Sequence, residues 1–167
     1  MNHFIRTFQS STTHNIQITE ERFIDGGGVS DFNTEGDAVY VPSTNTYKIR
    51  LNTNVVENAS QEFISVTLMH EILHAYLGAY FGVVRNNDAQ HPLMVENYCV
   101  DFMANILRTL YPGLSRGSST EADHAIGLSW SGLDNTPTYR AIDIGERFKY
   151  QQVNDKHKSH LSGTICP

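Results

Sequence analysis

Residues 60–82 read SQEFISVTLMHEILHAYLGAYFG, and the rest of the chain is understood from this stretch. Its apolar residues Phe63, Ile64, Val66, Leu68, Ile72, Leu73, Leu77 and Phe81 fall on nearly every side of an α-helix, the pattern of a buried helix. Between Ser60 and Val84 the only formal charges are Glu62 and Glu71. Asn58 with Gln61 makes a capping-box-like start, and Gly78 and Gly82 offer a loosening end. Inside the helix stand His70, Glu71 and His74, spaced as H-E-x-x-H. At about 100° per residue the two imidazoles lie about 40° apart and can face one metal ion. Glu71 sits beside that face, where its carboxylate can reach a metal-bound water without being a ligand. A buried glutamate between two histidines is costly unless something pairs with it, and a zinc ion does so. The spacing therefore predicts a zinc site with His70 and His74 as ligands and Glu71 as the catalytic base.

A catalytic zinc takes three protein ligands and leaves one position for water. His91 is the preferred third ligand, because a polar loop followed by a helix that folds back can return position 91 to the metal. Its place before Pro92, at the mouth of a helix, suits a fixed and partly exposed ring. Glu96, His124, Asp88 and Asp101 are the rivals. His3, His14, His157 and His160 lie in polar ends and read as solvent-exposed. Tyr98, His124, Tyr139 and Arg140 are candidates for stabilising an oxyanion.

Composition bounds the partners. The 167 residues are most economically one domain, and 40% hydrophobic content is that of an ordinary globular protein. A net charge of -6 and a pI near 5.7 argue against a nucleic-acid surface, and there is no polybasic patch for an anionic membrane. No run approaches ~18 apolar residues, and the opening MNHFIRTFQSSTTH has no apolar core of a signal peptide. The expectation is a soluble protein acting on a protein or peptide substrate. Cys99 and Cys166 make neither a disulfide scaffold nor a cysteine zinc site; Cys99 reads as a small core residue.

Along the chain, residues 1–14 read as a flexible lead-in, 15–154 as a single domain and 155–167 as a tail. Residues 15–24 begin with strand-like alternation at Ile16 and Ile18, and Gly26-Gly27-Gly28 is a turn. Residues 37–41 and 46–52 read as two strands around Pro42-Ser43-Thr44-Asn45. In the second, Tyr47, Ile49 and Leu51 alternate with Lys48 and Arg50, so one face is buried and one is wet. The edge of such a sheet can accept an extended peptide. Residues 84–90 read as a polar loop, and His91-Pro92 opens a second long helix that ends near Tyr111-Pro112-Gly113. Residues 121–130 form a short helix begun by Ser119 or Thr120, 132–137 a turn, and 141–154 a polar helix. Trp130 closes the core or walls the cleft. The expected fold class is α+β, a small antiparallel β-sheet packed over a central HExxH helix and a second long helix, in the zincin manner.

His70-Glu71-x-x-His74-Ala75-Tyr76, a polar loop and His91-x-x-Met94 resemble the SprT-like zincin metallopeptidases over residues 58–110. The resemblance implies a compact peptidase whose Zn2+ is held by His70, His74 and His91, with Glu71 as base. The zinc ribbon and basic charge of the DNA-linked members are missing, so the resemblance carries the active site and not that biology. Two other readings fit the same residues: a zinc-stabilised binding module without turnover, and the peptidase domain of a longer secreted effector or toxin.

Overall fold

Strands form where side chains alternate between an apolar and a polar environment. The computed structural model, which describes residues 14–81, 87–96, 99–118 and 121–165, contains three of them: β1 (Asn15–Glu21), β2 (Gly36–Val41) and β3 (Thr46–Asn52). Tyr47, Ile49 and Leu51 of β3 are buried, and Lys48 and Arg50 lie on the opposite face among Glu21 and Asp37, with Arg50 Nε donating to Asp37 Oδ1 at 2.7 Å. A 3-10 turn at Pro42–Thr44, closed by Asn45 at φ 49°, joins β2 to β3 as an antiparallel hairpin. β1 pairs with the other side of β3 and runs parallel to it, Ile16 opposite Tyr47 and Ile18 opposite Ile49. The sheet is thus mixed, in the order β1-β3-β2, where local pairing suggests an antiparallel one. Residues 22–35 are the reason: this long connection carries the chain past β3, so β3 inserts between its two predecessors.

That connection is pinned by one buried side chain. Asn52 Nδ2 donates to the carbonyls of Asp31 and Thr34, both at 2.7 Å, while its Oδ1 accepts from the N–H of Phe23 and of Asn54. The same oxygen caps the short helix α1 (Thr53–Val56). Ile24 and Ser30 bridge across the glycine turn, where Asp25 accepts from the N–H of Gly27 and Val29.

The central helix α2 runs Gln61–Phe81. Its cap is Ser60, whose Oγ accepts from Phe63 N at 3.2 Å, and not Asn58. None of residues 61–79 is exposed, as the all-round apolar pattern requires. The sheet covers one side; α3 (Asn87–Glu96), α4 (Cys99–Leu110), α5 (His124–Ser129) and α7 (Ile144–Lys158) cover the others. Phe63, Val66, Leu73 and Leu77 pack with Met94, Met103, Leu107, Leu128 and Leu133 in one core. Gly78 is not a loosening end. A Cβ there would stand 2.8 Å from the Tyr47 hydroxyl, so glycine lets the sheet approach the helix. Gly82 lies outside the described residues.

The second long helix is described as two, α3 and α4, separated by residues outside the description. Residues 87–90 are helical, so Pro92 lies inside α3 and His91 a turn past its start; a polar helical face looks like a loop in sequence. Asp123 caps α5, Thr136 caps α6 (Pro137–Ala141) and Asp143 caps α7, while Ser119 and Thr120 lie outside the described residues. Cys99 is buried, which pushes its thiol up to about 11, whereas Cys166 and residues 1–13 are outside the description.

The closing residues belong to the fold instead of fraying as a tail. α7 continues to Lys158, and Thr164 then donates from its N–H and hydroxyl to the two oxygens of Glu62, at 2.8 and 2.7 Å. Thr164 O and His157 O accept from the N–H groups of Gln61 and Ser60, which the start of α2 cannot satisfy internally. No helix among the described residues is long and apolar enough to cross a membrane.

Asn52→Ala removes both donations and both acceptances at a fully buried position. It is expected to cost about 3 kcal/mol, from buried groups left unpaired, and to lower the urea midpoint accordingly. An unchanged midpoint would show that the 22–35 connection is held by something else.

Candidate metal centre

One turn of α2 separates His70 from His74, and the interior of α3 supplies His91. The three rings meet with centroids 4.7, 5.2 and 5.1 Å apart, and one nitrogen of each lies within 4.8 Å of the others. All three are buried. His70 Nε2 and His74 Nε2 stand 3.0 Å apart. The far side of two rings is held by side-chain carbonyls: Gln90 Oε1 accepts from His74 Nδ1, and Asn135 Oδ1 lies 3.4 Å from His91 Nδ1. A carbonyl at Nδ1 keeps the proton there and presents a bare Nε2, which is how a metal-binding imidazole is oriented.

The donor set fits a metal ion. Three imidazoles converge, and burial is the main reason that His70 is pulled well below its usual range and His74 down to about 4, which keeps these two neutral. Two nitrogens on one tetrahedral zinc lie about 3.4 Å apart for Zn–N distances of about 2.0–2.1 Å, close to the separation seen between His70 and His74. No fourth His, Cys, Asp or Glu joins the cluster among the described residues. The cluster instead opens onto a cleft of about 390 Å³.

Glu71 lines the same cleft, 5% exposed, and its Oε2 has no hydrogen-bond partner among the described residues. Burial, with Asp37 and Glu35 nearby, pushes its carboxyl up to about 8. Two glycines bracket the centre. A Cβ on Gly36 would stand 3.2 Å from Glu71 Cγ, and one on Gly132, at φ +74°, 3.0 Å from His70 Cε1. The loop at 130–135 also brings Trp130, whose ring lies 5.3 Å from that of Tyr139; Trp130 both closes the core and walls the cleft.

The other candidates fall elsewhere. His124 Nδ1 lies 3.1 Å from His157 Nε2 near the start of α2, in a group with Ser60 and Glu62. His157 is fully buried there, not exposed as its polar surroundings suggested, and His160 is half-buried. Asp101 and Arg140 are exposed; the side chains of Glu96, Asp88 and Tyr98, and all of His3, lie outside the described residues. Tyr139 borders the cleft, its hydroxyl donating to Arg147 O at 3.1 Å, and His14 packs beside Tyr40 and Tyr47. The sequence gives Gln90, Asn135, Gly36 and Gly132 no role at the site. Only Gln90, adjacent to His91, carried a positional hint.

Residues 2–97 match the SprT-like family, more than half of the chain, and the protein belongs to that family. No curated protein and no solved structure proved similar to it.

A carboxyl raised on folding weakens the metal-free fold progressively as pH climbs from its usual 4.5 to about 8. Glu71→Gln removes that contribution and leaves the histidines in place. In chelator, the variant should match wild type near pH 4.5 and exceed it increasingly up to pH 8 in urea unfolding. Two parallel stability curves would contradict the burial of Glu71.

Proposed function

We propose that the chain is a zinc-dependent metalloendopeptidase with His70, His74 and His91 as metal ligands and Glu71 as general base. The observation that carries this reading is a three-histidine cluster open to a cleft that Glu71 also lines, the buried Oε2 of Glu71 having no hydrogen-bond partner among the described residues. A structural zinc site closes its fourth position with a side chain and has no use for a base, which weighs against a binding module without turnover.

Zinc, when bound, supplies Lewis acidity that polarises a carbonyl and acidifies water. The Glu71 carboxylate takes the proton of the attacking water and returns it to the leaving amine. Gln90 and Asn135 hold the rings of His74 and His91 so that their Nε2 atoms stay turned to one point. Gly36 begins β2, which is an edge strand in the order β1-β3-β2, and the same glycine lines the cleft. An extended peptide adding to β2 by backbone hydrogen bonds would pass the histidines. The partner is a protein or peptide substrate, with no nucleic acid or membrane.

Glu71→Gln should keep about one zinc per chain and lose activity on unfolded casein by a factor on the order of 10² or more. His91→Ala should lose zinc and activity together, as read by elemental analysis. Zinc kept in His91→Ala and lost in Glu96→Ala would move the third ligand to Glu96. Full activity in Glu71→Gln would end the peptidase mechanism.

A further inference from the structure

Away from the metal centre, four polar side chains meet at the start of α2. Ser60 Oγ lies 2.8 Å from His157 Nδ1, and His157 Nε2 lies 3.1 Å from His124 Nδ1. Glu62 Oε2 stands 4.0 Å from His157 Nδ1. His157 is fully buried and His124 partly so. The segment after α7 closes over the group. Thr164 donates to both Glu62 oxygens, and the carbonyls of Thr164 and His157 accept from the N–H groups of Gln61 and Ser60. Gly163, at φ +90°, packs so tightly that a Cβ would stand 2.5 Å from Glu62 Oε2 and 2.7 Å from His157 Nδ1. A cavity of about 500 Å³, lined by Tyr111, Ser115, His124, Ser162 and Thr164, gives solvent a route to the His124 side.

The two rings can share one proton but not hold two. Both nitrogens of His157 face hydrogen-bonding groups, and while the rings are neutral a single N–H lies between them. With both protonated, His124 Nδ1–H and His157 Nε2–H would point at each other across 3.1 Å, two donors and two positive charges without an acceptor. Gly163 leaves no room beside His157 for a water, so a charged ring is hydrated only if the segment lifts. Burial first, and then the neighbouring His124, brings His157 down to about 4 despite Glu62. His124 is also lowered, chiefly by burial; Glu121 and Asp123 favour its charge, Lys156 opposes it, and Asp123 is already paired with Arg108 of α4. Glu62 is held below its usual range, so the histidines are the groups that titrate first as pH falls. The segment at 159–165 adds only His160.

We propose that residues 157–164 form an acid-released latch, in which protonation of the His124–His157 pair lifts the segment after α7 from the start of α2. The sign follows from proton linkage. Released rings bind protons near 6.5 and the latched His157 only near 4, so the latch holds fully above pH 6.5 and weakens progressively below it. Lys158, next to His157, donates to Glu35 on the cleft wall, so the latch joins the hold on the metal-bearing helix to the wall that α7 supplies. The device does not depend on the peptidase reading.

Amide hydrogen exchange on the full chain tests it. The N–H groups of Ser60, Gln61 and Thr164 are bonded only while the segment is docked, and the amides of β3 serve as reference. Protection at the three latch amides, corrected for intrinsic rate, should fall on the order of tenfold more than in β3 between pH 7 and pH 5. That extra fall should shrink in His124→Asn, at a partly exposed position, and vanish in His157→Asn. It should persist when chelator is present at both pH values, since metal release plays no part. Latch amides that lose no more protection than β3 overturn the proposal. So does an extra fall that is unchanged in both variants, or one that disappears in chelator.

Discussion

An α-helix that buries two histidines and a glutamate among apolar side chains must be covered on every side and yet leave one polar face usable. Bare ionisable groups in such a place are costly, so the histidines are held neutral and the carboxyl of Glu71 is pushed towards its protonated form. Sheet, helices and loops are all arranged around that demand. The sheet supplies Gly36 beside Glu71, α3 supplies His91, and the loop after α5 supplies Gly132 beside His70. The contacts at these points are close enough that two of the three residues are glycines.

The same helix is held at its start by a second buried polar group. Ser60, Glu62, His124 and His157 meet there, and Thr164 closes over Glu62 from the far end of the chain. Burial alone would raise the Glu62 carboxyl, but the N–H and hydroxyl of Thr164, together with the Glu62 N–H and Ser60, outweigh it and hold the group below its usual range. The helix is thereby anchored at one end by paired polar groups, while its middle carries His70, Glu71 and His74 on the cleft. Anchoring and chemistry are divided along one element.

Family membership rests on residues 2–97, which include the three histidines and the sheet. The opposite wall of the cleft comes from beyond that match: Trp130, Asp134, Tyr139 and the α7 residues Asn154, Asp155 and Lys158. The histidine cluster and the wall facing it are thus carried by different parts of the chain.

The sequence by itself determined the central helix, its burial and the facing of His70 and His74, because helical period and apolar pattern are local properties. It also determined β2 and β3, whose alternation and turn residues lie within a few positions of one another, and it singled out His91 as the histidine to join the pair. It did not determine the parallel partner of β3, since that depends on where residues 22–35 return. Nor did it reveal the burial of His157 or the docking of Thr164 on Glu62, about a hundred residues apart in the chain. Gln90, Asn135, Gly36 and Gly132 acquire their roles only from distances of a few ångströms across elements. Local periodicity is written along the chain, but which side chain turns an imidazole and which wall gives a cleft its charge are decided only when distant segments meet in the tertiary structure.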